Sequence, residues 1–164
     1  MTADPSQPVI RPAAGPADIV AARALFVEYA TWLADDHAIS LEFQGIDEEL
    51  ASLPGKYAAP NGSLLLAELE GQAVGSIALR PYDGKTCEIK RLYVRPTARG
   101  YALGQRLIAA ILQAARDIGY RRAILDTAGF MSPAQRLYES FGFSDIPAYN
   151  DNPVPGVRHL GCDL

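Results

Sequence analysis

The stretch EIKRLYVRPTARGYALGQRL, from Glu88 to Leu107, decides the reading of this chain. Its first half has the pattern of a strand ending near Arg95. A short turn follows, containing Arg99-Gly-Tyr-Ala-Leu-Gly104, and the remainder reads as the first turns of a helix. A small-residue turn opening a helix aims several free backbone N–H groups at one point, where the helix dipole also favours negative charge. Such a place can bind phosphate.

Downstream, Leu103, Leu107, Ile111, Ala115 and Ile118 share one helical face, and Gly119 is placed to cap that helix. Ala123-Ile-Leu125 reads as a buried strand. Ser132-Pro-Ala-Gln135 has the form of a capping box with proline at the first helical position, so a helix is expected to start there and stop near Gly142. Strands are expected near Phe143 and from Val157 to Leu164, split by a loop from Asp151 to Gly156.

Upstream, Leu64–Glu70 and Ala73–Leu79 read as a hairpin around Glu70-Gly-Gln72, and the strand of the opening stretch begins near Thr86. Pro8 to Pro12 is a short β-like segment. Gly15-Pro-Ala-Asp18 resembles a helix start, with Ile19, Ala22, Phe26, Tyr29 and Leu33 following at helical spacing. Asp35 to Gln44 reads as a polar connection, and a short helix is expected from Asp47 to about Leu53. The order β-α-α-β-β-β-α-β-α-β-β combines antiparallel hairpins with two β-α crossovers. An α/β (α+β mixed sheet) fold with helices on both faces is therefore expected.

The chain has 164 residues, enough for one well-cored domain, here 9–164 after a flexible N-terminus at 1–8. A net charge of -4 argues against broad binding to nucleic acid or anionic membrane. Two cysteines, Cys87 and Cys162, are too few for a disulfide framework or metal cage, and they read as structural thiols. No long apolar run and no leader pattern is present, so cytoplasmic action is expected.

The element order, together with Arg99-Gly-Tyr-Ala-Leu-Gly104, resembles the GNAT superfamily of acetyl-CoA-dependent N-acetyltransferases over nearly the whole chain. In the family signature Gln/Arg-x-x-Gly-x-Gly/Ala, Arg99 and Gly104 match while Ala102 replaces the first glycine. At a helix N-terminus φ is negative, which alanine tolerates. A second element, Leu137-Tyr-Glu-Ser-Phe-Gly-Phe143, is similar to the family's Leu-Tyr-x-x-x-Gly-Phe ending. The resemblance implies the GNAT fold, with acetyl-CoA as co-substrate. Its pyrophosphate would be held by N–H groups from Gly100, Tyr101, Ala102, Leu103, Gly104 and Gln105, with Arg99 beside them. The pantetheine arm would pair with the backbone of Leu92, Tyr93 and Val94, as a peptide adds to a strand edge. Arg95 and Arg106 also stand near the turn. An asparagine common in the family seven residues before the tyrosine is replaced by Met131.

Acetyl transfer to an amine requires a base, stabilisation of the developing oxyanion and protonation of the leaving thiolate. Glu88 is the candidate base. In an extended strand it shares a face with Lys90, Leu92 and Val94, and the alternative for it is a salt bridge with Lys90 or a neighbouring arginine. Tyr138 is the candidate acid, inward on the stripe of Ala134, Leu137 and Phe141. A backbone N–H near Leu92 or Tyr93 is the expected oxyanion donor. No zinc spacing exists, so no metal is implied.

An acceptor groove is expected between Trp32, Asp35, Asp36, His37, Glu42 and Phe43 on one wall and Tyr149, Asp151 and Asn152 on the other. Such a wall suits a cationic amine. The expected reaction is direct attack by a small-molecule amine in a ternary complex. The expected partners are that amine and a second copy of the chain as a homodimer, with neither nucleic acid nor membrane. The alternatives are a protein or peptide N-acetyltransferase and a non-catalytic acyl-CoA sensor.

Overall fold

The computed structural model describes residue 4 and residues 6–164, so residues 1–3 and 5 of the expected flexible N-terminus lie outside the described residues. The strands are β1 (Val9–Pro12), β2 (Ser63–Leu69), β3 (Gln72–Pro81), β4 (Thr86–Val94), β5 (Arg122–Thr127), β6 (Ser144–Asp145) and β7 (Arg158–Asp163). The helices are α1 (Gly15–His37), α2 (Ile46–Ser52), α3 (Leu103–Ile118) and α4 (Ser132–Ser140). One seven-stranded sheet runs β1-β2-β3-β4-β5-β7-β6. β4 and β5 are its parallel pair, joined by the α3 crossover, and every other neighbour is antiparallel. A second crossover, through α4, leads from β5 to β6 with β7 lying between them. The expected order of elements is observed.

Helix α3 explains one face of the core. Leu103, Leu107, Ile108, Ile111, Leu112 and Ala115 are buried on it, against Leu65, Ile77, Leu79, Cys87 and Ile89 of the sheet. Removing each large aliphatic side chain from water contributes roughly 1.5–3 kcal/mol. Gly119, at φ 111, ends this helix as its pattern required. On the opposite face α1 packs Ala22, Leu25 and Phe26 against Leu64, Leu66 and Ala78. Among the described residues no helix is long and apolar enough to cross a membrane.

Three local expectations are corrected. The segment Asp35-Asp-His37 is helical rather than a connection. Helix α1 continues until Ala38 turns left-handed at φ 54, where the Ile39 N–H closes on the Leu33 carbonyl at 2.9 Å. The expected capping box at Ser132 is not formed. Met131 holds the N-cap position without a side-chain bond, and the Gln135 amide donates to the Ala128 carbonyl at 2.8 Å instead. The third correction concerns β4, which is not evenly extended. Ser76 faces Tyr93 while Ala78 faces Lys90, so an extra residue bulges from β4, and Arg91 stands at φ 64.

The bulge reverses the alternation of side chains. Leu92 and Val94 join Cys87 and Ile89 on the α3 face, while Tyr93 packs on the α1 face. Glu88 and Lys90 therefore do not share a face with Leu92 and Val94. The buried Ser76 hydroxyl donates to the displaced Arg91 carbonyl at 3.0 Å, satisfying an acceptor the ladder has lost.

Candidate active site

The turn before α3 has the free amides that its sequence implied. Among the described residues no protein acceptor is found for the N–H of Gly100, Tyr101, Ala102, Leu103, Gly104 or Gln105, and the first intrahelical bond runs from Arg106 N–H to the Ala102 carbonyl at 3.0 Å. Gly100 (φ 99) and Ala102 (φ 53) are both left-handed. The expectation of negative φ at Ala102 is thus incorrect. The residue is the N-cap of α3, outside the helical dihedrals, and it keeps the strained conformation that a glycine would take freely. A Cβ on Gly104 would lie 3.3 Å from Leu137 Cδ1, so glycine there lets α4 approach α3.

Of the nearby arginines, Arg95 is held by Glu28 at 2.9 Å and by the Ala73 carbonyl at 3.0 Å, and Arg106 donates to the Pro8 carbonyl at 3.1 Å. Arg99 is exposed and has no side-chain partner among the described residues. It is the arginine free to meet an anion at this turn.

A second feature lies further along the sheet. β4 and β5 pair only from Thr86–Arg122 to Glu88–Ile124, after which the two strands part. The gap opens a cavity, connected to solvent, lined on one side by Leu92, Thr127, Ala134 and Tyr138 and on the other by Tyr29, Phe43, Lys90, Arg91, Asp126 and Asn152. Alternation in β5 separates the two sides: Ala123 and Leu125 belong to the α3 face, so Thr127 follows them and Asp126 points the opposite way. The cavity passes through the sheet. Thr127 Oγ1 is fully buried and has no hydrogen-bond partner among the described residues. The Tyr138 hydroxyl likewise makes no hydrogen bond among the described residues. Burial holds its pKa above the ordinary phenol value, so the proton stays on at neutral pH.

Glu88 stands one layer behind this wall. Its carboxylate accepts from Arg80 Nε at 2.9 Å and from the Tyr149 hydroxyl at 2.7 Å, and Lys90 Nζ lies 3.8 Å away. Lys90 is the residue that sequence reasoning passed over. Only 6% exposed, it lies between Glu88 and Asp126, with Nζ 3.7 Å from Asp126 Oδ1. Burial pulls its pKa down, opposed by the two carboxylates. Burial pushes Asp126 up, but Lys90 and the amides of Asn152 and Asn150 outweigh it and keep the acid ionised. Arg91 is engaged by Glu49 at 2.8 Å and by Gln44 at 2.7 Å. Its presence in the cavity follows from the bulge, which alternation alone does not reveal.

The expected acceptor walls are assembled only in part. Phe43 and Asn152 line the cavity, whereas Tyr149 does not and donates instead to Glu88 behind the wall. Asp35, Asp36, Glu42 and Asp151 are exposed and are not among the lining residues. Trp32 and His37 instead form an aromatic stack with Phe130, with His37 and Phe130 parallel at 3.7 Å. This stack fastens the loop between β5 and α4 to the end of α1. Both cysteines are buried free thiols outside the cavity, and burial raises Cys87 to about 12.

The comparisons with known proteins agree with this geometry. The model of the Acetyltransferase (GNAT) family matches residues 25–143. An uncharacterized N-acetyltransferase of Schizosaccharomyces pombe is 40% identical over 151 residues, spanning 91% of this chain and 90% of its own. Among solved structures, an acetyltransferase from Streptococcus agalactiae has a TM-score of 0.74 at 23% identity, covering 96% of this chain and 98% of its own. A GNAT family acetyltransferase from Elizabethkingia anophelis with acetyl-CoA bound scores 0.64 at 21% identity, covering 96% and 99%. The chain belongs to the GNAT family and is an acyltransferase enzyme.

Proposed function

We propose that this chain moves an acetyl group from acetyl-CoA to the primary amine of a small molecule, by direct attack in a ternary complex. The observation that carries the reading is the cavity through the sheet, which lets two compounds entering from opposite faces meet between β4 and β5. The residues present fit the coenzyme. Six consecutive free amides, 100–105, offer donors for a diphosphate, with Arg99 free beside them. The unpaired β5-facing edge of β4 at Leu92 to Val94 suits an amide-bearing arm, and Thr127 Oγ1 awaits a hydrogen-bond partner beside it.

When bound, acetyl-CoA supplies an acetyl group activated as a thioester. Leu92 or Tyr93 N–H is the proposed donor to the developing oxyanion. Tyr138, protonated and facing the gap, is proposed to give its hydroxyl proton to the departing sulfur. Glu88 is the proposed final proton acceptor, reached through solvent in the gap because Lys90 and Tyr149 stand in front of it. The cysteines offer no nucleophile, which favours direct attack over a covalent acetyl-enzyme. Their free, buried state is also what a cytoplasmic enzyme would show, and the cytoplasm is the proposed place of action.

A thiol-release assay with acetyl-CoA across amines, amino acids, polyamines and peptides tests this. Turnover with small amines is expected, and Tyr138→Phe should lower kcat by roughly 10²-fold. Coenzyme binding without turnover on any amine would favour the sensor alternative. Turnover on peptides alone would favour protein acetylation.

A further inference from the structure

The charges lining the acceptor side of the cavity differ in kind from an acidic wall. They are Lys90, Arg91 and Asp126. Arg91 and one oxygen of Asp126 are already committed: Arg91 to Glu49 and Gln44, and Asp126 Oδ2 to Asn150 at 2.8 Å and Asn152 at 3.0 Å. Two groups are left over. Lys90 Nζ donates no hydrogen bond among the described residues, although its side chain is only 4% exposed, and Asp126 Oδ1 accepts none. They stand 3.7 Å apart, within Coulombic range but beyond hydrogen-bond distance. An ammonium carries three donors, and because Lys90 lines the cavity they are available to a ligand there.

The surrounding charges balance. Arg80 and Lys90 face Glu88 and Asp126, while Arg91 faces Glu49. A polyamine would bring two or more positive charges into a chamber with no surplus of negative ones. A compound with one ammonium and one carboxylate adds no net charge and offers an acceptor to Lys90 and a donor to Asp126. We infer that the acceptor is an amino acid or similar zwitterion, with Lys90 binding its carboxylate and Asp126 Oδ1 orienting its amine toward the gap. The inference deepens the transferase reading and rests on it. The bulge contributes as well, since it places Lys90 and Arg91 in succession on one chamber wall.

The test uses the intact chain with saturating acetyl-CoA and a panel of amino acids, each paired with its carboxamide, together with polyamines. Amino acids should exceed their carboxamides in kcat/KM by about 30-fold or more, the scale of a buried charge contact. Lys90→Met should raise KM for the amino acid by a similar factor, and by much less for its carboxamide, while leaving coenzyme affinity unchanged. Because that change leaves Glu88 and Asp126 short of a cation, Lys90→Arg serves as a charge-preserving companion. It should retain the preference for carboxylates with an altered KM. Equal or better turnover of carboxamides or polyamines by the unaltered enzyme would overturn the inference and leave the transferase standing. Absence of thiol release with every amine would overturn both.

Discussion

Ala102 occupies the point of the turn before α3 where a Cβ is most costly. At φ 53 an L-residue is about 1–2 kcal/mol above its preferred conformation, and glycine escapes that strain at some cost in unfolded-chain entropy. Ala102→Gly is expected to raise the melting temperature by about 2–4 °C, measured by calorimetry, without weakening coenzyme binding. Glu88 presents a different kind of residue-level question. Held by Arg80 and Tyr149, it is both a structural ion pair and the proposed proton acceptor. Glu88→Gln should lower kcat by roughly 10²-fold in a steady-state assay with saturating acetyl-CoA. An unchanged kcat in a folded variant would reduce Glu88 to a structural role.

Strand β4 carries the account at the level of elements. Its bulge costs a left-handed arginine and is stabilised by the Ser76 hydroxyl on the Arg91 carbonyl. Ser76→Ala would leave that carbonyl unpaired and should destabilise the fold by about 1–3 kcal/mol in urea titration. Leu107→Ala, at the centre of the α3 contact, should cost about 2–5 kcal/mol. The helical period of α3 and the hairpin of β2 and β3 were legible because each repeats over many residues. The bulge was not, since arginine is a poor residue for positive φ and nothing in Lys90-Arg91-Leu92 announces one. The end of α1 was missed for a related reason: Asp35 and Asp36 are polar enough to read as loop, yet they lie on the helix's solvent side, where polarity says nothing about conformation.

At the scale of the whole molecule, Arg11 joins three elements by pairing with Asp18 of α1 and Glu68 of β2. Its hydrogen bond, together with the Ala14 N–H, lowers the Asp18 pKa to about 2. Because an unfolded aspartate titrates near 3.9, this contribution to stability is complete above about pH 4 and is lost as pH falls through about 2. Asp18→Asn should flatten that part of the stability–pH curve, measured by thermal unfolding. The turn proposed for the coenzyme was readable as a row of free amides because it lies in one continuous stretch. Of the proposed acceptor side only Phe43 and Asn152 were read, because Lys90 and Asp126 join them only once the sheet has parted. The loops over the cavity also depend on distant pairing, with Gly129 and Gly156 touching where a Cβ on Gly129 would lie 3.0 Å from the Gly156 carbonyl.

The transferase reading depends on the proposal that the amides of residues 100–105 hold the coenzyme's diphosphate. Calorimetric titration of the protein with acetyl-CoA, and in parallel with acetyl-pantetheine, tests it most directly. The account predicts saturable heat with acetyl-CoA and at least a roughly 10²-fold weaker response once the diphosphate is absent, about two charge-assisted hydrogen bonds' worth. No heat with acetyl-CoA, or equal affinity for both compounds, would contradict it.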